Sequence, residues 1–160
     1  MFMTERIPIT KDKIRYGHFY KDKKYVLKDD LYIYVNSPII YSFDIDLLVE
    51  GSLDLENLFD LKSISENVTI GSSENFHIDI SFCPKLKTLP TNLIAGRKLY
   101  LSHNQHLITI LSKEQVLSLK ELIVSEKYYW SECRKITSYE EYYSLIEPTL
   151  QKNNLMRICL

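Results

Sequence analysis

Glycine and proline are scarce in this 160-residue chain, with 4 and 5 copies, and cysteine numbers 3. So few glycines and prolines exclude a collagen-like, linker-like or low-complexity chain. Cys83, Cys133 and Cys159 are an odd, widely spaced set without a CxxC pair or a Cys/His metal spacing. No disulfide framework and no metal site is expected, and the thiols imply a reducing, cytoplasmic compartment. No apolar run approaches the ~20 residues that span a bilayer, so no membrane partner is expected. Residues 1–13 carry Glu5, Arg6, Lys11, Asp12 and Lys13 and lack an apolar h-region, so no secretion signal is expected. The Asn67-Val68-Thr69 sequon is then expected to stay unmodified. Also missing are a phosphate-binding GxxxxGK loop, a GxGxxG turn and a GxSxG elbow, which removes the commonest cofactor and nucleophile signatures.

What is present is an ordinary globular composition, 45% hydrophobic and 26% charged, with 12 tyrosines. The length suits one domain over residues 1–160. Within it three segments align on their first apolar residue. They begin Leu53-Asp54-Leu55-Glu56-Asn57-Leu58, Ile78-Asp79-Ile80-Ser81-Phe82-Cys83 and Leu99-Tyr100-Leu101-Ser102-His103-Asn104. Apolar residues recur at offsets 0, +2, +8 and +11, the last two being Leu61 and Ile64, Leu86 and Leu89, and Leu107 and Ile110. Offset +5 holds Leu58, Cys83 and Asn104. Weaker copies begin at Leu31 (Ile33, Asn36, Ile39) and at Leu122 (Val124). The starts are 22, 25, 21 and 23 residues apart.

The pattern has a direct physical meaning. Leu-x-Leu puts offsets 0 and +2 on one side of a short strand. Offsets +8 and +11 fold back over the same core, and an Asn or Cys at +5 suits the interior of the turn. No single copy can bury its own apolar row, so copies must stack and the ends need caps.

These segments resemble the leucine-rich repeat family, and Leu89-Pro90-Thr91-Asn92-Leu93 looks like the Leu-Pro repeats of short bacterial and phage proteins. The resemblance implies an α/β repeat fold, a short leucine-rich-repeat-like solenoid with a parallel sheet. Residues 1–30 form an N-terminal β-hairpin cap, residues 31–126 about five turns, and residues 127–160 a C-terminal helical cap. Bacterial effector ubiquitin ligases join similar repeats to a large catalytic domain. Only 30 residues follow Trp130 here, so that activity is not expected.

Local signals fill in the caps. Ile14, Tyr16, Phe19, Tyr25 and Leu27 alternate loosely with polar residues around a Tyr20–Tyr25 turn, which predicts the hairpin. Ser112-x-x-Gln115 and Ser138-x-x-Glu141 are capping signals for two helices. The second is expected to end near Pro148, with Tyr128, Tyr129 and Trp130 beneath it.

Charge is uneven along the chain. Residues 11–28 hold a net +5 and residues 29–66 a net −8. In a parallel stack, offsets +1 and +3 face outward. They give Tyr32 and Tyr34, Asp54 and Glu56, Asp79 and Ser81, Tyr100 and Ser102, and then Ile123 and Ser125. Tyrosine suits interfaces, and acids favour a basic partner. The leading expectation is therefore a non-catalytic protein-binding module, monomeric or homodimeric, with no cofactor. It would act as an inhibitor or adaptor, and the repeat resemblance implies a phage or effector protein that blocks a nucleic-acid-binding protein. Ordinary solvated strand residues are the plainer reading of the same row. The alternatives are direct nucleic-acid binding by the basic, aromatic segment 11–28, and an enzyme without a recognisable motif. Cys83 with His103 or His106 could be read as a thiol and a base, but +5 points inward, where an inert thiol is expected. Asp44/Asp46 and Asp54/Glu56 lack the spacing of a calcium loop.

Overall fold

The five aligned starts stand side by side in one sheet. Leu31 pairs with Leu53, Leu53 with Ile78, Ile78 with Leu99 and Leu99 with Leu122, all in parallel. This is seen in a computed structural model that describes residues 5–33, 42–124 and 133–158. In chain order the elements are β1 (Ile7–Pro8), α1 (Lys11–Arg15), β2 (Lys24–Leu27), β3 (Leu31–Tyr32), β4 (Asp46–Val49), β5 (Leu53–Asp54), β6 (Val68–Ile70), β7 (His77–Asp79), α2 (Thr91–Ile94), β8 (Lys98–Tyr100), α3 (Gln105–Ile110), α4 (Lys113–Ser118), β9 (Glu121–Val124), β10 (Arg134–Ile136) and α5 (Tyr139–Ile158). The fold is mixed α/β with two sheets, ordered β1-β2-β4-β6 and β10-β9-β8-β7-β5-β3. Every pairing is parallel except β9 with β10. Among the described residues no helix is long and apolar enough to cross a membrane.

Alternation explains why both sheets exist. Leu31, Ile33, Leu53, Leu55, Ile78, Ile80, Leu99, Leu101, Leu122 and Val124 are buried, and so are Tyr25, Leu27, Leu47, Val49, Val68 and Ile70 from the other sheet. Both apolar sets join one core cluster. Burying a Leu or Ile side chain is worth about 1.5–3 kcal/mol, and no strand this short can be stable without such neighbours. Beyond β6 the second layer changes character: α2 packs against β6 and against α4, and α4 packs against α5.

The turn that follows each strand of the longer sheet is built the same way three times. Asn57, Phe82 and His103, all at offset +4, have φ of 62°, 57° and 58°. Left-handed backbone suits Asn, but in Phe it is strained by about 1–3 kcal/mol. The Phe82 and His103 rings stack at 4.2 Å and 19°, which offsets part of that strain. At +5, Asn104 accepts from the Cys83 amide (2.9 Å) and donates to Ile80 C=O. Cys83 donates to Leu55 C=O (3.0 Å), the corresponding carbonyl one turn earlier. The thiol thus repeats the amide's donor role, while Leu58 is simply buried at the first such position.

Two expectations about the caps are corrected. Residues 14–27 do not form a hairpin: α1 occupies Lys11–Arg15 with Ile14 fully buried, and β2 lies parallel between β1 and β4. The apolar pattern marked β2 as a strand but carried no information on its partner. The expected turn is present, with the Lys23 amide donating to Tyr20 C=O. The last helix does not end near Pro148 either, and α5 runs through it to Ile158. Proline removes one amide, that which would reach Ser144 C=O, and the helix tolerates that single loss. The two serine caps behave as the spacing predicts. Ser112 and Gln115 form a reciprocal box, and Ser138 Oγ accepts from the Glu141 amide. Glu141 reaches back to the Thr137 amide (2.8 Å) and also takes that of Ser138. Buried Tyr142 fastens α5 to the core through bonds to Ile108 C=O (2.6 Å) and Leu111 C=O (3.0 Å).

Candidate functional site

Strand register brings the +1 residues together as one lateral row. Tyr32 lies beside Asp54, Asp54 beside Asp79, Asp79 beside Tyr100, and Tyr100 beside Ile123. Neighbours in such a row are about 4.8 Å apart. The two carboxylates are thus adjacent, with one tyrosine strand on each side. Glu56 and Ser81, two residues further on, and Ser102 lie on the same face by the period-two rule.

Each aspartate already has one structural duty. Asp54 Oδ1 accepts from the Glu56 amide (3.0 Å), and Asp79 Oδ1 accepts from the Ser81 amide (2.8 Å). The carboxylate bends the chain out of the strand and into the left-handed residue at +4. In the next turn +1 is Tyr100, so the Ser102 amide turns to Ser81 Oγ instead (3.1 Å). Asp79 takes the Ser81 hydroxyl as well.

The electrostatics are unfavourable without a partner. Burial pushes the Asp54 carboxyl above its usual value, only partly offset by the Glu56 amide and by His77. Asp79 is raised by burial most of all, against the hydrogen bonds from Ser81, and Asp54 adds repulsion. Glu56 is raised by burial and then by Asp79 and Asp54. Burial and the charge of Asp79 also raise the Tyr100 phenol. Among the described residues, no lysine or arginine forms an ion pair with Asp54, Glu56 or Asp79. No grouping of His, Cys, Asp and Glu there has the geometry to hold a metal ion.

The fate of the expected residues is mixed. Tyr32, Asp54, Glu56 and Tyr100 are half-buried on the row. Asp79, Ser81 and Ser102 are buried, which corrects the expectation that they face outward into solvent. Ser81 Oγ takes the Ser102 amide of the next turn and Asp79 takes the Ser81 amide of its own, and such bonding draws small polar residues inward. Tyr34 lies outside the described residues, as do Asn36, Ile39, Ser125, Tyr128, Tyr129, Trp130 and Cys159.

The charge asymmetry read along the chain is partly cancelled in space. Lys11 pairs with Asp29 (2.7 Å), Lys21 with Asp44 (3.2 Å), and Arg6 and Lys24 with Asp46 (2.9 and 3.9 Å). The basic segment therefore folds onto the acids that follow it. In the Cys83 region, burial pushes the thiol up to about 12, His103 stacks on Phe82, and the His106 ring meets Leu86 C=O at 2.7 Å. That geometry supplies no thiolate.

Sequence reasoning missed His77, one residue before the start of its repeat. Its backbone amide donates to Ser52 Oγ (3.2 Å), and its Nδ1 lies 3.1 Å from the same oxygen. Its ring meets Tyr100 edge-on at 5.4 Å, and its charge acts on both Asp54 and Asp79. The available signal was the strand itself, which extends back to offset −1. No family model, curated protein or solved structure matches the chain.

Proposed function

We propose that this chain is a short leucine-rich-repeat-like stack that acts as a non-catalytic protein-binding module, an inhibitor or adaptor that takes a basic partner. The proposal extends to a cytoplasmic setting and to a phage or effector protein that occupies the basic groove of a nucleic-acid-binding protein. One observation carries it. Asp29, Asp44, Asp46, Asp60 and Glu74 have basic partners, yet among the described residues Asp54, Glu56 and Asp79 converge without one, on a face flanked by Tyr32 and Tyr100. Three desolvated carboxylates side by side oppose folding, and a complementary cation would relieve them. The stack supports this use, because parallel strands hold the row at fixed spacing before any partner arrives.

The test is capture of binding proteins from lysate by the wild type and by an Asp54→Asn/Glu56→Gln/Asp79→Asn variant, over a salt series. The amide side chains keep the acceptors that serve the +3 backbone, so the fold is retained. A basic protein should be held by the wild type, released as salt rises and lost by the variant. Equal capture by both would overturn the assignment of this face. The runner-up, nucleic-acid binding through residues 11–28, predicts salt-sensitive retardation of DNA or RNA. The ion pairs of Lys11, Lys21 and Lys24 count against it.

A further inference from the structure

The face carries more than an acidic cluster. Ser102 is 6% exposed, and among the described residues its Oγ has no hydrogen-bond partner. A buried hydroxyl without a partner is uncommon, because hydroxyls rotate readily to find one. Ser102 sits at +3 beside Ser81, whose Oγ holds the Ser102 amide, and two positions from Tyr100 on the strand next to Asp79. Its free acceptor therefore belongs to the same face as the carboxylates of Asp54 and Asp79.

We propose, resting on the protein-binding reading above, that this face is built to receive an arginine side chain of the partner, with the guanidinium laid across Asp54 and Asp79 and Ser102 Oγ accepting at its edge. Three features select guanidinium over ammonium. The first is shape: adjacent parallel strands stand about 4.8 Å apart, which sets the two carboxylates side by side, and a planar fork addresses both with directed donors where an ammonium acts as a point charge. The second is valence. Oδ1 of each aspartate already serves a backbone amide, and Asp79 takes the Ser81 hydroxyl as well, so the acceptor capacity left to a ligand is spread over both carboxylates, as bridging requires. The third is burial: guanidinium is more weakly hydrated than ammonium and loses less on entering a half-buried site. The ring of Tyr100, braced edge-on by His77 at 5.4 Å, supplies a flank on which a planar cation stacks.

The experiment titrates the 15N-labelled protein with two blocked pentapeptides, one with a central arginine and one with a central lysine, all other positions being glycine. Amide shifts of Glu56, Ser81 and Ser102 are followed. The arginine peptide should give saturable shifts at these three amides, with an affinity about fivefold or more above that of the lysine peptide. Asp54→Asn/Asp79→Asn should abolish the response while the rest of the spectrum is kept. Ser102→Ala removes no observed bond, so it should leave the fold intact and weaken the arginine peptide selectively. Equal responses to both peptides would overturn the arginine assignment and leave the acidic face standing. No response to either would overturn both. Arginine binding unchanged in Ser102→Ala would remove the serine from the site and defeat the geometry proposed.

Discussion

Replacing Asn104 tests whether the +5 position works as a ladder between turns. Asn104 immediately precedes α3, so its sequence position alone suggests a helix cap, yet its side chain makes no cap bond there. Instead the fully buried amide accepts from the Cys83 N–H and donates to Ile80 C=O. Asn104→Ala leaves both backbone groups buried and unpaired. Each such loss costs about 1–3 kcal/mol, so the variant should lose roughly 3 kcal/mol. That is a large part of the ~5–15 kcal/mol typical of a whole domain. It corresponds to a fall in Tm of roughly 6–12 °C for a chain of this size. Asn104→Ser separates the two roles. Serine is as good as asparagine in a cap, but it is too short to reach Ile80 and Cys83 together. It should therefore be nearly as damaging as alanine, while Cys83→Ser, which keeps a donor for Leu55 C=O, should be mild. Urea denaturation followed by far-UV circular dichroism gives all three values. If Asn104→Ser falls within about 0.5 kcal/mol of the wild type, the ladder argument fails and capping explains the residue.

Two further outcomes follow from the same turns. Asp79 has a raised pKa in the folded chain, so its protonated form is favoured there over the unfolded reference of 3.8. The stability this contributes is complete below that reference and is lost as pH rises through the higher folded value. Asp79→Asn is neutral throughout and keeps the acceptor for the Ser81 amide. Its stability relative to the wild type should therefore rise from pH 4 to pH 7 in paired denaturant melts. A relative fall over that interval would contradict the sign. Gly51→Ala should be strongly destabilising, by about 2 kcal/mol or more. An added Cβ would lie 2.5 Å from the Asp30 amide nitrogen and 2.6 Å from the Asp29 carbonyl carbon, where backbone must move. A melt unchanged by that substitution would mean that the two segments are not so close.

Part of this architecture was legible because it is local and periodic. Leu-x-Leu at 53 and 99 and Ile-x-Ile at 78 identified the strands, and equal offsets pair in register although the copies differ in length. The second sheet went unread although Ile45-Asp46-Leu47-Leu48-Val49 alternates as clearly. Its strands lie 22 residues apart at Lys24, Asp46 and Val68, but the next turn replaces the strand with α2, which breaks the series. Partnership is not local at all. The pattern at Lys24–Leu27 fits a hairpin arm as well as a parallel strand, and only the distant β4 decides between them. The linear charge pattern misled in the same way, because Lys11, Lys21 and Lys24 meet acids that the chain reaches only after another turn. At the candidate site, period two assigned the correct side to Asp79, Ser81 and Ser102. It had no means of showing that bonds to neighbouring amides draw Asp79 and Ser81 out of solvent.

This sharing of atoms between fold and site determines how the face must be probed. Asp54 and Asp79 each shape their own turn through Oδ1 and carry charge through the carboxylate as a whole. Alanine at either position removes both properties, so weakened binding would be indistinguishable from a loosened turn. Lysine there adds a buried charge to the same loss. Asparagine retains the acceptor and deletes only the charge, so it isolates the electrostatic contribution. The acids stand at +1 of successive turns because the backbone needs an acceptor at that place, and aspartate supplies it together with a negative charge. Tyr100 shows that the turn itself does not demand the charge. With no carboxylate at +1, its turn closes by borrowing Ser81 Oγ from the neighbour. Two adjacent aspartates are therefore more than the turns require, and the surplus is charge.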